Sequence, residues 1–334
     1  MNLSFEVLDL PLRHRFAISR GSKTVASTIV FHLRWNGIEA LGESAPSPRY
    51  GESYDTIAAH FGARPLEAAS PYFMEELLAG RPPAARCGLD LALHDAVGKD
   101  LGRPLWQLLG LDPQRTPATS FTIGIAPLDE TLAKVREAGA HPILKIKLGR
   151  GSEVETIEAI RSIYSGTLRI DPNESWTPEH SVTTLREVER FEIEFCEQPI
   201  PAGTPERLRF VRERSPIPIV ADEDAKEARD LPALTGCVDG VNVKLVKCGG
   251  IRGALAMIHT ARALNMNVML GCMVESAILT TAAAQLSPLA DWADLDGPLL
   301  TASDPFAGIA YDRGKLVLPD VPGLGVASAG VVAR

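Results

Sequence analysis

Two lysines interrupt the apolar run "LKIKLG", at Lys145 and Lys147. A spacing of two puts both ammonium groups on one face of a β-strand. Downstream, three carboxylates close short apolar segments: Asp171 in "RIDPNES", Glu197 in "CEQP" and Asp222 in "ADED". Another lysine, Lys244, closes "VNVKLV". Three acids brought together repel one another unless a cation sits between them. All-oxygen ligation suits Mg2+ or Mn2+, with positions left for water and substrate. Two amines flanking such a site suit removal of a proton from one face of a carbon and its return on the other. Lys145 adds a like charge beside Lys147, and like charge and desolvation both lower a lysine pKa toward what a general base needs. The expected metal ligands are therefore Asp171, Glu197 and Asp222. The expected bases are Lys147 and Lys244, supported by Lys145. The bland alternatives are acids that bond to backbone amides at loop lips, and lysines that pair structurally with neighbouring acids. Lys247, three residues after Lys244, turns away from the strand face of Lys244, and a structural role is expected for it.

These residues need a scaffold that presents them together. From about Thr119 the chain repeats a short apolar strand, a loop and a helical stretch. One polar or loop-lip residue can be taken from each strand end: Thr122, Lys147, Asp171, Glu197, Asp222, Lys244, Cys272 and Asp294. The steps between them are 25, 24, 26, 25, 22, 28 and 22 residues. Eight β-then-α units of this size predict an α/β fold, a modified TIM barrel of parallel strands, whose chemistry sits at the C-terminal strand ends. Neighbouring strands lie ~4.8 Å apart, so acids ending three consecutive strands can converge. "GSEVETIEAIRSIYSG" and "GIRGALAMIHTARALNM" carry apolar residues at the three- and four-residue spacing of amphipathic helices. Residues 1–115 read as an α+β region. Strands are expected over Leu3–Leu10 and Thr28–Trp35, then helices in "CGLDLALHDAVGKDLGRPLWQLLG". The barrel is expected over 116–314, with 315–334 returning as an extended segment to complete the first domain.

Composition narrows the class. The 334 residues are 45% hydrophobic, enough for a substantial core, and the net charge of -8 argues against a nucleic-acid surface. No apolar run reaches the roughly 18 residues of a membrane span, and the alternating start reads as a strand, not a signal peptide. Five scattered cysteines without a CxxC pair predict reduced thiols and a cytoplasmic setting. The seven histidines fall outside the ring of strand ends.

Together "LKIKLG", "RIDPNESW", "CEQP", "ADED", "NVKLVKCGGI", "GCMVES" and "ADLDGP" resemble the enolase superfamily, in its muconate-lactonizing subgroup. "PSPRYGES" and "LDLALHDAVGKDLGRPLWQLLG" resemble its capping domain, so the resemblance covers essentially the whole chain. Within the subgroup the dipeptide epimerases acting on L-Ala-D/L-Glu are most similar. The resemblance implies a Mg2+-assisted proton transfer at the α-carbon of a dipeptide's second residue, in murein peptide metabolism. The resemblance further implies a lysine base working beside Mg2+, as sites of that superfamily do. "DLD", Asp294 and Asp296, resembles the DxD that holds the dipeptide ammonium. Thr122, Cys272 and Met273 are implied as substrate contacts. Arg20, in "ISRGSK" with Lys23, and Arg49, in "PSPRYGES", are candidates for an acidic side chain, with Arg20 favoured. Pro172 and Asp224 depart from the usual pattern; Asp224 is expected to face away from the metal. A homo-oligomer is compatible with the sequence. Rivals remain: a cycloisomerase or o-succinylbenzoate synthase of the same superfamily, an epimerase for other dipeptides, a Schiff-base aldolase, or a non-catalytic ligand-binding barrel.

Overall fold

The structure is a computed structural model and describes residues 1–63, 66, 70–139 and 141–329. The chain opens with three antiparallel strands, β1 (Asn2–Ile18), β2 (Gly21–Trp35) and β3 (Ile38–Ser44), in that order across the sheet. β1 and β2 pair from Asn2 opposite Arg34 to Ile18 opposite Gly21, so Ser19 and Arg20 form the tip of one long hairpin. Both strands run further than expected. The pairing shifts register between Pro11 and Phe16, where a proline cannot donate to the ladder, but resumes beyond it. β3 was not expected at all. Its turn is Asn36-Gly37, with φ of 48° and 80°, the positive values a two-residue hairpin turn requires.

Four helices follow: α1 (Tyr54–Ala63), α2 (Met74–Leu78), α3 (Pro83–Leu101) and α4 (Leu105–Leu108). α3 is buried on most of its circumference because it lies between the sheet and the barrel. Small residues permit this approach: a Cβ on Gly42 of β3 would meet the Gly88 carbonyl of α3 at 2.1 Å.

Eight parallel strands form the barrel: β4 (Phe121–Ile123), β5 (Ile143–Lys147), β6 (Thr167–Asp171), β7 (Ile193–Glu197), β8 (Ile219–Ala221), β9 (Gly240–Lys244), β10 (Asn267–Gly271) and β11 (Trp292–Asp294). A parallel bridge between Thr119 and Ala293, with Ser120 N–H donating to Ala293 O at 3.1 Å, joins the last strand to the first. The connecting helices are α5 (Leu128–Ala138), α6 (Glu153–Arg161), α7 (Pro178–Val188), α8 (Pro205–Arg212), α9 (Leu245–Cys248), α10 (Ile251–Ala263), α11 (Ala277–Gln285) and α12 (Gly297–Leu300). One crossover departs from the regular unit. Between β8 and β9 the chain forms a 3-10 helix, Ala228–Leu234, with Pro232 inside it. A proline there removes a helical donor and crowds the preceding turn.

Buried acids of the first region bolt it to helix N-termini of the barrel. Asp90 of α3 accepts from Ile251 N–H at 2.5 Å, at the start of α10. Glu43 of β3 accepts from Ser276 N–H, Ser276 Oγ and Leu279 N–H at 3.0, 2.6 and 2.8 Å, at the start of α11. Four short strands close the chain: β12 (Phe306–Ala307), β13 (Ala310–Asp312), β14 (Lys315–Val317) and β15 (Ala327–Ser328). Between the last two, Gly323 O accepts from Leu105 N–H at 2.9 Å and Pro319 O from the Trp106 indole at 3.2 Å. Residues 330–334 of the expected tail, and 64, 65 and 67–69 of the first region, lie outside the described residues. No helix among the described residues is long and apolar enough to cross a membrane. All five cysteines are unpaired, four of them buried.

Candidate active site

At the C-terminal ends of the strands, beneath the β1–β2 hairpin tip, lies a cavity of about 320 Å³. Parallel strands end on the same side of the barrel, which delivers the functional side chains at Lys147, Asp171, Glu197, Lys244 and Asp294 to this one end. Lys145 and Lys147 of β5, Lys244 of β9, and Asp222 just beyond β8 all line the cavity. Asp171 and Glu197, the last residues of β6 and β7, are fully buried beside it. No histidine lines it.

The acids and lysines are interleaved. Lys147 Nζ donates to Asp171 Oδ2 at 2.5 Å, and Lys244 Nζ donates to Asp222 Oδ2 at 2.9 Å. Lys145 Nζ donates to Asp294 Oδ2 at 2.6 Å, stands 3.4 Å from Asp171 Oδ2 and contacts Glu197 Oε2. This corrects the expected role of Lys145. Its charge is absorbed by three carboxylates, so it is not a bare like charge beside Lys147. Burial opposes its ionisation, but Asp294, Glu197 and Asp171 hold its pKa well above the usual lysine range. Lys247 is held by structural contacts. It lies in α9, beyond the strand, and its buried ammonium returns to Asp222, contacting Oδ1 and donating to the carbonyls of Asp222, Ala225 and Asn242 at 2.6, 3.0 and 3.1 Å.

The three carboxylates were expected to converge on one point. Among the described residues, no three His, Cys, Asp or Glu side chains stand ready-arranged around a shared metal position. Lysine ammonium groups lie against all three of them. The acids nevertheless feel one another. Burial, with the fields of Asp171 and Asp222, pushes Glu197 above the usual carboxylate range despite Lys145. Burial acts the same way on Asp171 and Asp222, but the lysines overcome it and hold both below that range. The donor set suits a hard divalent cation: three buried carboxylates on consecutive strands, with Glu197 Oε2 touching Lys145 but receiving no hydrogen bond. Asn242 of β9 donates to Glu197 Oε1 at 2.7 Å and fixes the other oxygen.

Asp294 and Asp296 lie at the opposite wall. Both oxygens of Asp294 are taken, by Ser120 Oγ and Lys145 Nζ, each at 2.6 Å. Burial is outweighed by Lys145 and Lys147, so its carboxyl lies low, at about 2. Asp296 has no cationic partner among the described residues. Its Oδ2 accepts from Thr122 N–H at 2.6 Å, and its Oδ1 faces the Cys272 thiol at 3.7 Å. Burial, then Asp294, pushes its carboxyl up to about 6. Thr122, Cys272 and Met273 line the cavity beside it.

Arg20 was expected to contact an acidic side chain of the substrate. The structure places it in the cavity wall but commits it: Nη2 donates to Glu223 at 2.7 Å, and Nη1 donates to Glu174 at 2.8 Å and to Asn173 O at 3.0 Å. Arg49 holds the other oxygen of Glu174 at 2.8 Å. Glu174, at φ 67°, thus ties both loops of the first region to the barrel. Burial and the fields of Asp222 and Asp171 push Glu223 up to about 8. Asp224 turns away from Asp222 and accepts from Gln198 and Gly203 N–H at 2.8 and 2.7 Å. Glu174, Glu223, Gln198 and Asn242 carry no separate signal in the sequence beyond their place next to the strand-end motifs.

The chain's N-terminal residues 5–110 match the family model "mandelate racemase / muconate lactonizing enzyme, N-terminal domain", and residues 128–329 match "enolase C-terminal domain-like". The chain is 38% identical to the L-Ala-D/L-Glu epimerase of Bacteroides thetaiotaomicron, over 98% of this chain and 88% of that one. The substrate-liganded L-Ala-D/L-Glu epimerase of Bacillus subtilis shares the fold with a TM-score of 0.89 at 28% identity, over 98% of each chain. A dipeptide epimerase of Enterococcus faecalis, complexed with Mg and L-Leu-L-Tyr, gives a TM-score of 0.90 at 29% identity, over 97% of this chain and 98% of that one.

Proposed function

Because this chain belongs to the enolase superfamily, in its mandelate racemase and muconate lactonizing enzyme branch, we propose that it is a dipeptide epimerase that inverts the α-carbon of the second residue, with L-Ala-D/L-Glu as substrate. It is an isomerase of amino-acid derivatives, as its relatives are. One observation carries the mechanistic reading. Lys147 and Lys244 end β5 and β9, with three strands between them, and each pairs with the outermost carboxylate on its own side of the arc.

Two bases on opposite sides of one carbon exchange its configuration without moving the substrate. One lysine Nζ takes the α-proton from one face, and the other ammonium delivers a proton to the opposite face. The roles reverse for the other epimer, so one lysine must be neutral and one protonated at the start of each turnover. Burial disfavours a charge on Lys244, but Asp222 and Glu197 hold its pKa above the usual range, which suits it to the donor's role in the resting pocket. The residues that would hold Mg2+, with Mn2+ as a substitute, are Asp171, Glu197 and Asp222; the bound ion supplies positive charge beside the substrate carboxylate, which acidifies the neighbouring C–H. Lys145 keeps the buried acids compensated and fixes Asp294. Asp296 receives the dipeptide ammonium, with Thr122, Cys272 and Met273 around it. The first region, 1–115 with 315–334, caps the barrel of 116–314 and brings Arg20, Lys23 and Arg49 over the cavity. Arg20 and Arg49 are paired with Glu174 and Glu223, and Lys23, which has no ion pair among the described residues, supports an acidic second residue. Five free thiols support a reducing, cytoplasmic setting, and a place in murein peptide metabolism follows from the substrate.

The test is turnover in D2O. L-Ala-L-Glu with Mg2+ should lose its glutamyl α-proton signal by 1H NMR while the D-epimer appears. A persistent α-proton would refute the assignment. A second reading, neutral dipeptides, is favoured by Phe16, Ile18, Val274 and Leu300 in the cavity wall and predicts faster exchange for L-Leu-L-Tyr.

A further inference from the structure

Just beyond Asp171 and Pro172, two consecutive residues that are not glycine take the left-handed backbone conformation: Asn173 at φ 47° and Glu174 at φ 67°. Such a turn persists only where its surroundings hold it. Here it is held from two sides. From the barrel, Asn173 N–H donates to Asp171 Oδ1 at 2.8 Å and Asn173 Nδ2 to Asp171 Oδ2 at 3.2 Å, while Glu174 N–H donates to Gln198 O at 2.9 Å. From the first region, the tip of the β1–β2 hairpin closes on the same two residues. Ser19 Oγ and Arg20 Nη1 donate to Asn173 O at 2.8 and 3.0 Å, and Arg20 also holds the Glu174 carboxylate. Asp171 in turn accepts from Lys147 at 2.5 Å. The strained turn thus has the capping hairpin on its outer side and a carboxylate of the proposed metal set on its inner side.

We infer that this turn links docking of the hairpin tip to cation binding at Asp171, with Asn173 the positioning residue between them. This rests on the reading of Asp171 as a metal ligand. A cation needs Asp171 held still, and Asn173 supplies a donor to each of its oxygens. Those donors stay aimed only while the left-handed backbone stays, and the hairpin tip clamps the carbonyl of that same residue. With the tip docked, part of the ordering that cation binding requires is already done, so the two events favour each other. Linkage makes the effect reciprocal: the factor by which the docked tip strengthens ion binding is the factor by which the bound ion strengthens docking. Ser19 isolates the link, because its hydroxyl bonds Asn173 O and the residue does not line the cavity.

The experiment titrates Mg2+ into the stripped enzyme by calorimetry and follows amide hydrogen exchange at the hairpin tip, Ile18 to Ser22, with and without Mg2+. Ser19→Ala should weaken Mg2+ binding about 2- to 10-fold, up to the contribution of one hydrogen bond. Ser27→Ala, in the same hairpin but bonded to Asp9, should leave it unchanged. In the native enzyme Mg2+ should slow exchange at the tip and leave the Asn36-Gly37 turn of the same sheet as it was. Asn173→Ala should speed exchange at the tip, although the amide it removes bonds Asp171 and not the hairpin. Asn173→Gly accepts positive φ and should leave the tip docked. Native Mg2+ affinity in Ser19→Ala, tip exchange indifferent to Mg2+, or native tip exchange in Asn173→Ala would each overturn the linkage and leave the metal reading standing. A native enzyme that binds no Mg2+ overturns the metal reading, and the linkage falls with it.

Discussion

Replacing Asp296 by Asn removes the one cavity carboxylate that no cation of the described chain already holds. Asn is nearly isosteric, and its amide oxygen can still accept from Thr122 N–H, so the perturbation is confined to charge. A hydrogen bond to a charged group contributes ~1.5–3 kcal/mol, so loss of the ammonium contact should lower kcat/KM by about 10- to 150-fold. The same carboxyl also predicts a pH limb. Burial and Asp294 raise it to about 6. It is charged above that pH and neutral below it, so kcat/KM should be level above it and fall about tenfold per unit below it. Initial epimerisation rates of L-Ala-L-Glu, followed by circular dichroism at substrate concentrations below KM, give the profile. In Asp296→Asn the overall rate should drop and that limb should vanish. N-acetyl-L-Ala-L-Glu, which lacks the ammonium, should be turned over comparably by native and variant enzymes. A variant within about twofold of native on the free dipeptide, or one that keeps the limb at the same midpoint, would show that Asp296 does not bind the ammonium.

Chelation should abolish turnover, Mg2+ or Mn2+ should restore it, and calorimetric titration of the stripped enzyme should find one site per chain that Asp222→Asn weakens. Full turnover in a chelated, metal-free sample would exclude the triad as a metal site. Lys247→Met removes a buried ammonium from Asp222 and three carbonyls, and urea unfolding should show a loss of about 3 kcal/mol, the low end for breaking a buried pair because Asp222 keeps Lys244. A loss under ~1 kcal/mol would mean that Lys247 is replaceable packing.

The strand ends were legible because five of the barrel strands are short, mainly apolar runs that stop at a charged residue, and parallel topology puts those stops at one end. Asp171, Lys147, Lys244, Glu197 and Asp294 are each the last residue of their strand. What the sequence hid is contact between distant residues. Spacing places Lys145 beside Lys147, but nothing local says that Asp294, 149 residues away, will neutralise it. The same holds for Arg20, whose partners Glu174 and Glu223 lie 154 and 203 residues downstream. Other misses had a local signal. Asn36-Gly37 is a strong hairpin turn and could have announced β3. The charged run through Arg13, His14 and Arg15 breaks the apolar alternation that defines a strand, so the long hairpin was read too short. Pro232 marked the one crossover that could not be a regular α-helix.

The central claim is that Lys147 and Lys244 serve opposite faces of one carbon. Incubating each Lys→Ala variant with L-Ala-L-Glu and, separately, L-Ala-D-Glu in D2O, and following the α-proton by 1H NMR, tests it directly. Neither variant should epimerise. Each should still exchange the α-proton of one diastereomer only, and the two variants should exchange opposite ones, because the remaining lysine can remove and return its own proton. If either variant exchanged both diastereomers, or both variants exchanged the same one, the two-base account would be wrong.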